Sequence, residues 1–308
     1  MVLLSHYFGP QGILMSEAVI DCVLPTKVIF TQGITQTVTP VLLVEQTNNC
    51  TYVVTETTPF HPVSHIWPDH PADKGFLVFE GNQYAVTNCV TGAFDVENYT
   101  LYIGADIPVK RGEEGWYFVV VHELAVDAAL NIHDDVELIV DANYQTALSR
   151  GHSAGHLASF ALNKVLEQAY WRKDASRRDA LNSRDFHSYA QELSLVSENQ
   201  STDTYRLGKT LKKRGLNVAD MLADLALIEA KVNDVLAAWL ATKAPVVMKC
   251  EGEQLTDSRF WCCDLGKGES ITMPCGGSHV QSLAEYNAVK IVFTLKSEQD
   301  LEMITTAS

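Results

Sequence analysis

The hydrophobic pattern of this chain changes period once, near residue 140, and that switch limits its fold more than any other feature. From Val19 to about Ile139, short runs rich in β-branched and aromatic residues alternate with Gly, Asn, Asp and Pro, at 28–31, 40–44, 52–57, 75–80, 84–87, 98–103 and 115–122. Such runs are strands, and their spacing predicts an antiparallel barrel or sandwich. The stretch 118–121, Phe-Val-Val-Val, has no polar alternation and suits a strand covered on both faces. Residues 59–73 break the rhythm with four prolines and with His61, His65 and His70, which predicts a substantial loop.

Beyond residue 140 the apolar positions follow a helix. Leu157, Phe160, Ala161, Val165 and Ala169 predict a long helix that begins near residue 153. A second is predicted over 217–241, with Asn217 as cap and Pro245 closing the region. Strands return at 246–250, 260–264 and 289–295, and 297–308 reads as a polar tail. The domain boundary is expected near residue 145. Residues 1–14 lack patterning and read as an extension or as lying before the true start.

With 308 residues and 46% hydrophobic content, the chain has material for one large core or two ordinary ones. No run approaches the ~20 apolar residues that cross a bilayer, and residues 1–15 do not read as a signal peptide. The seven cysteines show no framework spacing, which fits a reducing, cytoplasmic setting. A formal charge of -15 argues against a general polyanion binder, DNA included. Charge is uneven, however: Arg172, Lys173, Arg177, Arg178, Arg184, Arg206, Lys209, Lys212, Lys213 and Arg214 are nearly half of the 23 Lys and Arg. This tract is either a local basic face or two solvated helix surfaces.

Two short motifs carry metal chemistry. His152-Ser-Ala-Gly-His156 places imidazoles at i and i+4, on one helix face. Taken alone, two such histidines more often serve packing than a metal. Pro274-Cys275-Gly-Gly-Ser-His279 brackets two glycines that permit a sharp turn between a thiol and an imidazole. Taken alone, it reads better as a glycine turn beside a buried cysteine. Together the motifs offer three His and one Cys, a set suited to zinc rather than to magnesium or calcium.

His152-x-x-x-His156 followed by Cys275-Gly-Gly-Ser-His279 resembles the editing domain of alanyl-tRNA synthetases and their free-standing AlaX-type trans-editing relatives. That family carries H-x-x-x-H and, far downstream, C-G-G-T-H, so Ser278 stands where the family has threonine. The approach Val136-Glu-Leu-Ile-Val-Asp141, Leu157 after the first motif and the strand at 260–264 are also similar. A family loop, T-x-F-Y-P-x-G-G-G-Q-P-x-D-x-G, is matched at its ends by Thr58-Pro-Phe60-His61-Pro62 and Pro71-Ala-Asp73-Lys-Gly75. Its glycine-rich middle is replaced by residues 63–70.

The resemblance implies an α+β fold: an amino-terminal antiparallel β-barrel-like domain over 1–145, then an α/β two-layer editing domain over 146–308 with both motifs. It implies zinc held by His152, His156, Cys275 and His279, and hydrolysis of the ester that links serine or glycine to tRNA(Ala). Thr58 matches the threonine that selects the serine hydroxyl, and Ser278 supplies a hydroxyl beside the metal. His61, His65 and His70 are candidates for a base or second metal, or are solvated; His187 falls near a polar, aromatic family stretch. Transient tRNA binding is expected, and the lack of a phosphate-binding glycine loop predicts no ATP-dependent ligase activity. A small ester or amide substrate, or a non-catalytic zinc-stapled binding module, also accommodates these residues. Which amino acid, which tRNA and what oligomeric state the sequence leaves open.

Overall fold

The computed structural model describes residues 11–15, 23–125 and 128–308. Residues 1–10 of the expected extension, the start of the β-rich region at Val19, and Cys22 lie outside the described residues. The chain divides into two compact units, Met1–Ala142 with Gly252–Asp257, and Asn143–Glu251 with Ser258–Ser308. The fold is α+β.

The first unit is built from β1 (Ile13–Leu14), β2 (Lys27–Val28), β3 (Gln36–Gln46), β4 (Cys50–Thr55), β5 (Thr57–Thr58), β6 (Gly75–Phe79), β7 (Asn82–Asp95), β8 (Thr100–Ile103), β9 (Trp116–Ala125) and β10 (Asp135–Val140). The barrel expected here is corrected. The large sheet runs β1-β8-β7-β6-β10-β3-β4-β9, and its end strands β1 and β9 do not pair with each other. The cause is β7, 14 residues long, with a bulge between Val86 and Asn88 that bends it. It pairs with β6 and then β8 along its length, and β9 turns back onto it as well. The sheet thus doubles over on β7 rather than meeting end to end. Phe118 and Val120 enter one apolar cluster with Phe60, Leu77 and Leu138, while Val119 and Val121 enter another with Leu43, Phe94 and Leu101. This run is therefore covered on both faces, as its unbroken hydrophobicity requires. In the loop at 59–74, Val63 bridges to Val90 of β7, which pins the segment.

The second unit contains α1 (Ala142–Glu167, all but its first residue), α2 (Phe186–Ala190), β11 (Gln191–Ser197), β12 (Gln200–Arg206), α3 (Lys209–Arg214), α4 (Val218–Ala223), α5 (Leu225–Leu240), β13 (Val246–Cys250), β14 (Arg259–Gly266), β15 (Glu269–Pro274), β16 (Val289–Leu295) and β17 (Asp300–Ala307). Two antiparallel sheets, β11-β12-β17-β16 and β13-β14-β15, share one core with α1 and α5. Ile228, Val232, Leu236 and Trp239 of α5 recur at helical spacing and are buried. From the same helix, the Asn233 side chain both accepts from and donates to the backbone of Ile291, and Glu229 accepts from Phe293. The outer edge of β16 is thereby closed against further strands.

Three elements depart from expectation. Helix α1 starts at Ala142 rather than near 153, so both histidines lie in its interior instead of at its entrance. The predicted 217–241 helix breaks at Asp224 into α4 and α5, and Asn217, though at the cap position, gives no side-chain cap bond. Residues 297–308 are not a tail: β17 pairs on both edges, and Leu301, Met303 and Thr305 alternate into the interior.

Helix α1 approaches the β11–β12 turn through its glycines. A Cβ at Gly151 would stand 2.5 Å from the carbonyl oxygens of Ser197 and Gln200, and one at Gly155 2.7 Å from Ser201 Oγ. Gly151→Ala is therefore expected to destabilise the protein by about 1–3 kcal/mol through backbone overlap, despite alanine's better helix propensity. Chemical denaturation of the two proteins measures it. A neutral or stabilised variant would show that the turn yields freely.

Candidate metal centre

His152 and His156 lie one turn apart on α1, and Cys275 and His279 follow β15. The strand pair β14–β15 fixes where that second segment starts, with Phe260 opposite Pro274 and the Cys275 amide donating to the Arg259 carbonyl at 3.0 Å. Neither Gly276 nor Gly277 uses a left-handed backbone, so the glycines serve the turn without a positive φ.

All four ligand atoms lie within 4.8 Å of one another, the group among the described residues in which such atoms converge. Cys275 Sγ is 3.5 Å from His152 Nε2, 3.3 Å from His156 Nε2 and 3.2 Å from His279 Nε2. Around tetrahedral zinc, bond lengths of about 2.05 Å to nitrogen and 2.3 Å to sulfur put ligand nitrogen and sulfur roughly 3.5 Å apart. The observed separations fit a four-coordinate ion with slight expansion. The three imidazole centroids are 4.3–5.2 Å apart.

The outward nitrogens are held as such a site requires. His152 Nδ1 faces the Ser278 carbonyl at 3.3 Å, which accepts only a proton donor and so directs the Nε2 lone pair inward. His279 Nδ1 meets Ser153 Oγ at 3.0 Å, and that hydroxyl also accepts from the Val280 amide at 3.3 Å. Ser153, between the two histidines in sequence, thus orients a third from the other segment. Trp261 packs against His156 and His279 at ring distances of 5.6 and 6.2 Å. Sequence reasoning missed Ser153 and Trp261, although Ser153 sits inside the first motif.

Ser278 is buried, and its hydroxyl has no hydrogen-bond partner among the described residues. Thr58 belongs to the first unit. It is fully buried, with Oγ1 2.8 Å from His122 Nε2 and accepting from the Phe60 amide at 3.1 Å. His122 Nδ1 in turn donates to the Val53 carbonyl at 3.1 Å, so Nε2 is the acceptor and Thr58 donates to it. Burial pushes the His122 pKa down to about 4, which keeps this pair neutral. Nothing in the spacing of the sequence links residues 58 and 122.

The loop histidines are not solvated side chains. His61 and His70 are buried with ring centroids 4.2 Å apart, and the His61 amide donates to Asp73 Oδ2 at 2.7 Å. Burial lowers the His70 pKa to about 4, and burial followed by the Arg111 charge lowers that of His65. His187 is held in the second unit, Nδ1 3.2 Å from the Tyr205 hydroxyl.

Against known proteins the chain is 27% identical over 246 residues to alanine–tRNA ligase of Frankia alni, a match that covers 78% of this chain and 22% of that protein. The chain thus spans about a fifth of the relative's length. No family model matches it. What the likeness and geometry support together is a partial, distant relationship to alanine–tRNA ligase in a chain with a metal-ligating His/His/Cys/His cluster. No helix among the described residues is long and apolar enough to cross a membrane.

Two outcomes follow. Ser153→Ala should weaken metal affinity about 10–100-fold, as loss of an outer-shell partner does, while retaining one-to-one stoichiometry; competition with a chromophoric chelator measures it. Unchanged affinity would remove Ser153 from the site. His122 is neutral when folded down to about pH 4 but titrates near 6.5 when unfolded, so the unfolded state binds more protons between these values. Stability from this group is full above pH 6.5 and falls as pH drops toward 4, by at most about 1.4 kcal/mol per pH unit. His122→Gln, which keeps polar atoms there, should flatten the slope of unfolding free energy against pH by up to one proton. An unaltered slope would contradict the assignment.

Proposed function

We propose that this chain is a zinc-dependent hydrolase that deacylates mischarged tRNA in trans, with Ser- or Gly-tRNA(Ala) as substrate. The observation that carries the reading is the convergence of three Nε2 atoms and one Sγ, in a chain whose match to alanine–tRNA ligase covers 78% of its length. His152, His156, Cys275 and His279 would hold the ion. When bound, it supplies Lewis acidity for an acyl carbonyl and lowers the pKa of water.

The chain's own residues supply the rest. The Ser278 carbonyl and Ser153 hydroxyl fix two imidazoles in the ligating orientation. The buried Ser278 hydroxyl, without a hydrogen-bond partner among the described residues, offers a hydrogen bond to substrate. Thr58 is proposed, on the family resemblance, as the hydroxyl that reads the amino-acid side chain. In the overall reaction water adds to the ester carbonyl, the bond to the terminal ribose oxygen breaks, that oxygen takes a proton, and the free amino acid leaves.

One observation favours a second reading. Four protein ligands complete a tetrahedron, as in structural zinc sites, and a closed centre of this kind would staple α1 to the segment after β15 without chemistry.

Deacylation of Ser-tRNA(Ala) and Gly-tRNA(Ala) separates the two. Under the hydrolase reading, wild type releases serine or glycine, and His156→Ala or chelator-treated protein loses at least 100-fold in rate while circular dichroism stays native. Wild type that leaves the ester intact, yet unfolds when its metal is stripped, would establish the staple instead.

A further inference from the structure

The basic tract is neither two helix surfaces nor dispersed. Between Arg172 and Arg214 ten Lys and Arg face six Asp and Glu, in a chain of net charge -15. Four of these cations are neutralised locally: Arg172 by Asp220, Arg178 and Arg184 by Glu167 and Asp174, and Arg206 by Asp300. Lys173, Arg177, Lys209, Lys212, Lys213 and Arg214 make no ion pair with a carboxylate among the described residues, and all six are exposed.

The fold gathers them around α3. Residues 171–173 run beside the end of that helix: Trp171 bridges to Leu216, the Arg172 amide donates to the Gly215 carbonyl, and a Cβ at Gly215 would touch Lys173. At this end, the guanidinium carbons of Arg177 and Arg214 lie 5.1 and 5.5 Å from the ring centre of Tyr189. Two like charges are thus drawn to one half-exposed aromatic ring. Helix α3 also borders a cleft of about 690 Å³, lined by Lys209 and Lys212 and by the apolar Val218 and Leu222; the Glu298 carboxylate is on its wall too, and Gln299 there accepts from Arg206 through its side-chain oxygen.

We infer that this face of the second unit, from the α3 cleft to the Arg177–Tyr189–Arg214 cluster, is a docking surface for the single-stranded end of an RNA. The inference rests on the aminoacyl-tRNA reading above and gives that reading its partner surface. Unneutralised cations follow a phosphodiester backbone, an apolar-walled cleft with an amide at its edge accepts an unstacked base, and guanidinium planes stack on bases. An acidic peptide would use the charges but leaves the cleft and the pairing of guanidinium groups with Tyr189 without a role.

The test measures binding of deacylated tRNA(Ala), by anisotropy across 50–300 mM salt, to wild type, to the Lys209→Glu/Lys212→Glu double variant and to Arg177→Glu/Arg214→Glu. Each reversal is expected to weaken binding at least tenfold at 50 mM salt and to lower the slope of log affinity against log salt by about 2. Should a reversal disturb folding, the glutamine versions of the same pairs are expected to show the smaller loss of the same sign. Metal-dependent cleavage of serine ethyl ester, a probe without phosphates, should be the same in all variants. Affinities within twofold of wild type, or an acidic polypeptide bound as tightly as tRNA, would overturn the docking surface. Failure of ester cleavage with patch-dependent RNA binding retained would instead sink the hydrolase reading and leave the surface standing.

Discussion

Three imidazoles and one thiol share a space within which every ligand atom lies under 5 Å from every other, and the second unit is arranged to keep them there. An i, i+4 pair on a helix defines a line; only a second segment at the correct height turns that line into a cage. Here the second segment is delivered by the β14–β15 pair, whose register fixes Pro274 and so the position of Cys275. About 100° round α1 from the two histidines, Gly151 and Gly155 let the helix settle against the β11–β12 turn with no side chain between. The helix is thus held between a strand turn and a ligand segment, and neither contact survives a shift of the helix along its axis.

Outer-shell order follows from the same contact. The Ser278 carbonyl and Ser153 hydroxyl can engage His152 and His279 only because the two segments lie in register, and each hydrogen bond crosses between them. Removal of the ion should leave this polar scaffold in place, with the aromatic floor of Trp261 beneath it. The four side chains are therefore positioned by packing and by hydrogen bonds that cross between the two segments, an arrangement suited to receiving an ion.

How much of this was legible in sequence depended on whether a signal was local. The two motifs were, because their spacing and residue types are printed in the chain, whereas their convergence joins segments about 120 residues apart and was expected from the family resemblance, with no local mark of its own. The strands at 246–250 and 289–295 were too, since each is a short β-rich run with clear borders. The start of α1 was not: Asn143, Tyr144 and Gln145 have no apolar stripe, so the helix begins before its hydrophobic face does. Strand β17 was misread because Glu302, Thr305 and Thr306 look polar, although Leu301, Met303 and Thr305 fall on one buried face and alternate with Glu302 and Thr306 as a half-buried strand requires. The large sheet's return onto β7 is set by a bulge, which leaves no local mark, and the Thr58–His122 pair joins residues 64 positions apart. Both belong to tertiary geometry alone.

X-ray absorption at the zinc edge of the loaded protein addresses the central claim most directly, because it counts ligand types at the ion itself. The account predicts one sulfur at about 2.3 Å and three imidazole nitrogens at about 2.0–2.1 Å, with the sulfur contribution lost in Cys275→Ser. A first shell of nitrogen and oxygen only, unchanged by that substitution, would contradict it.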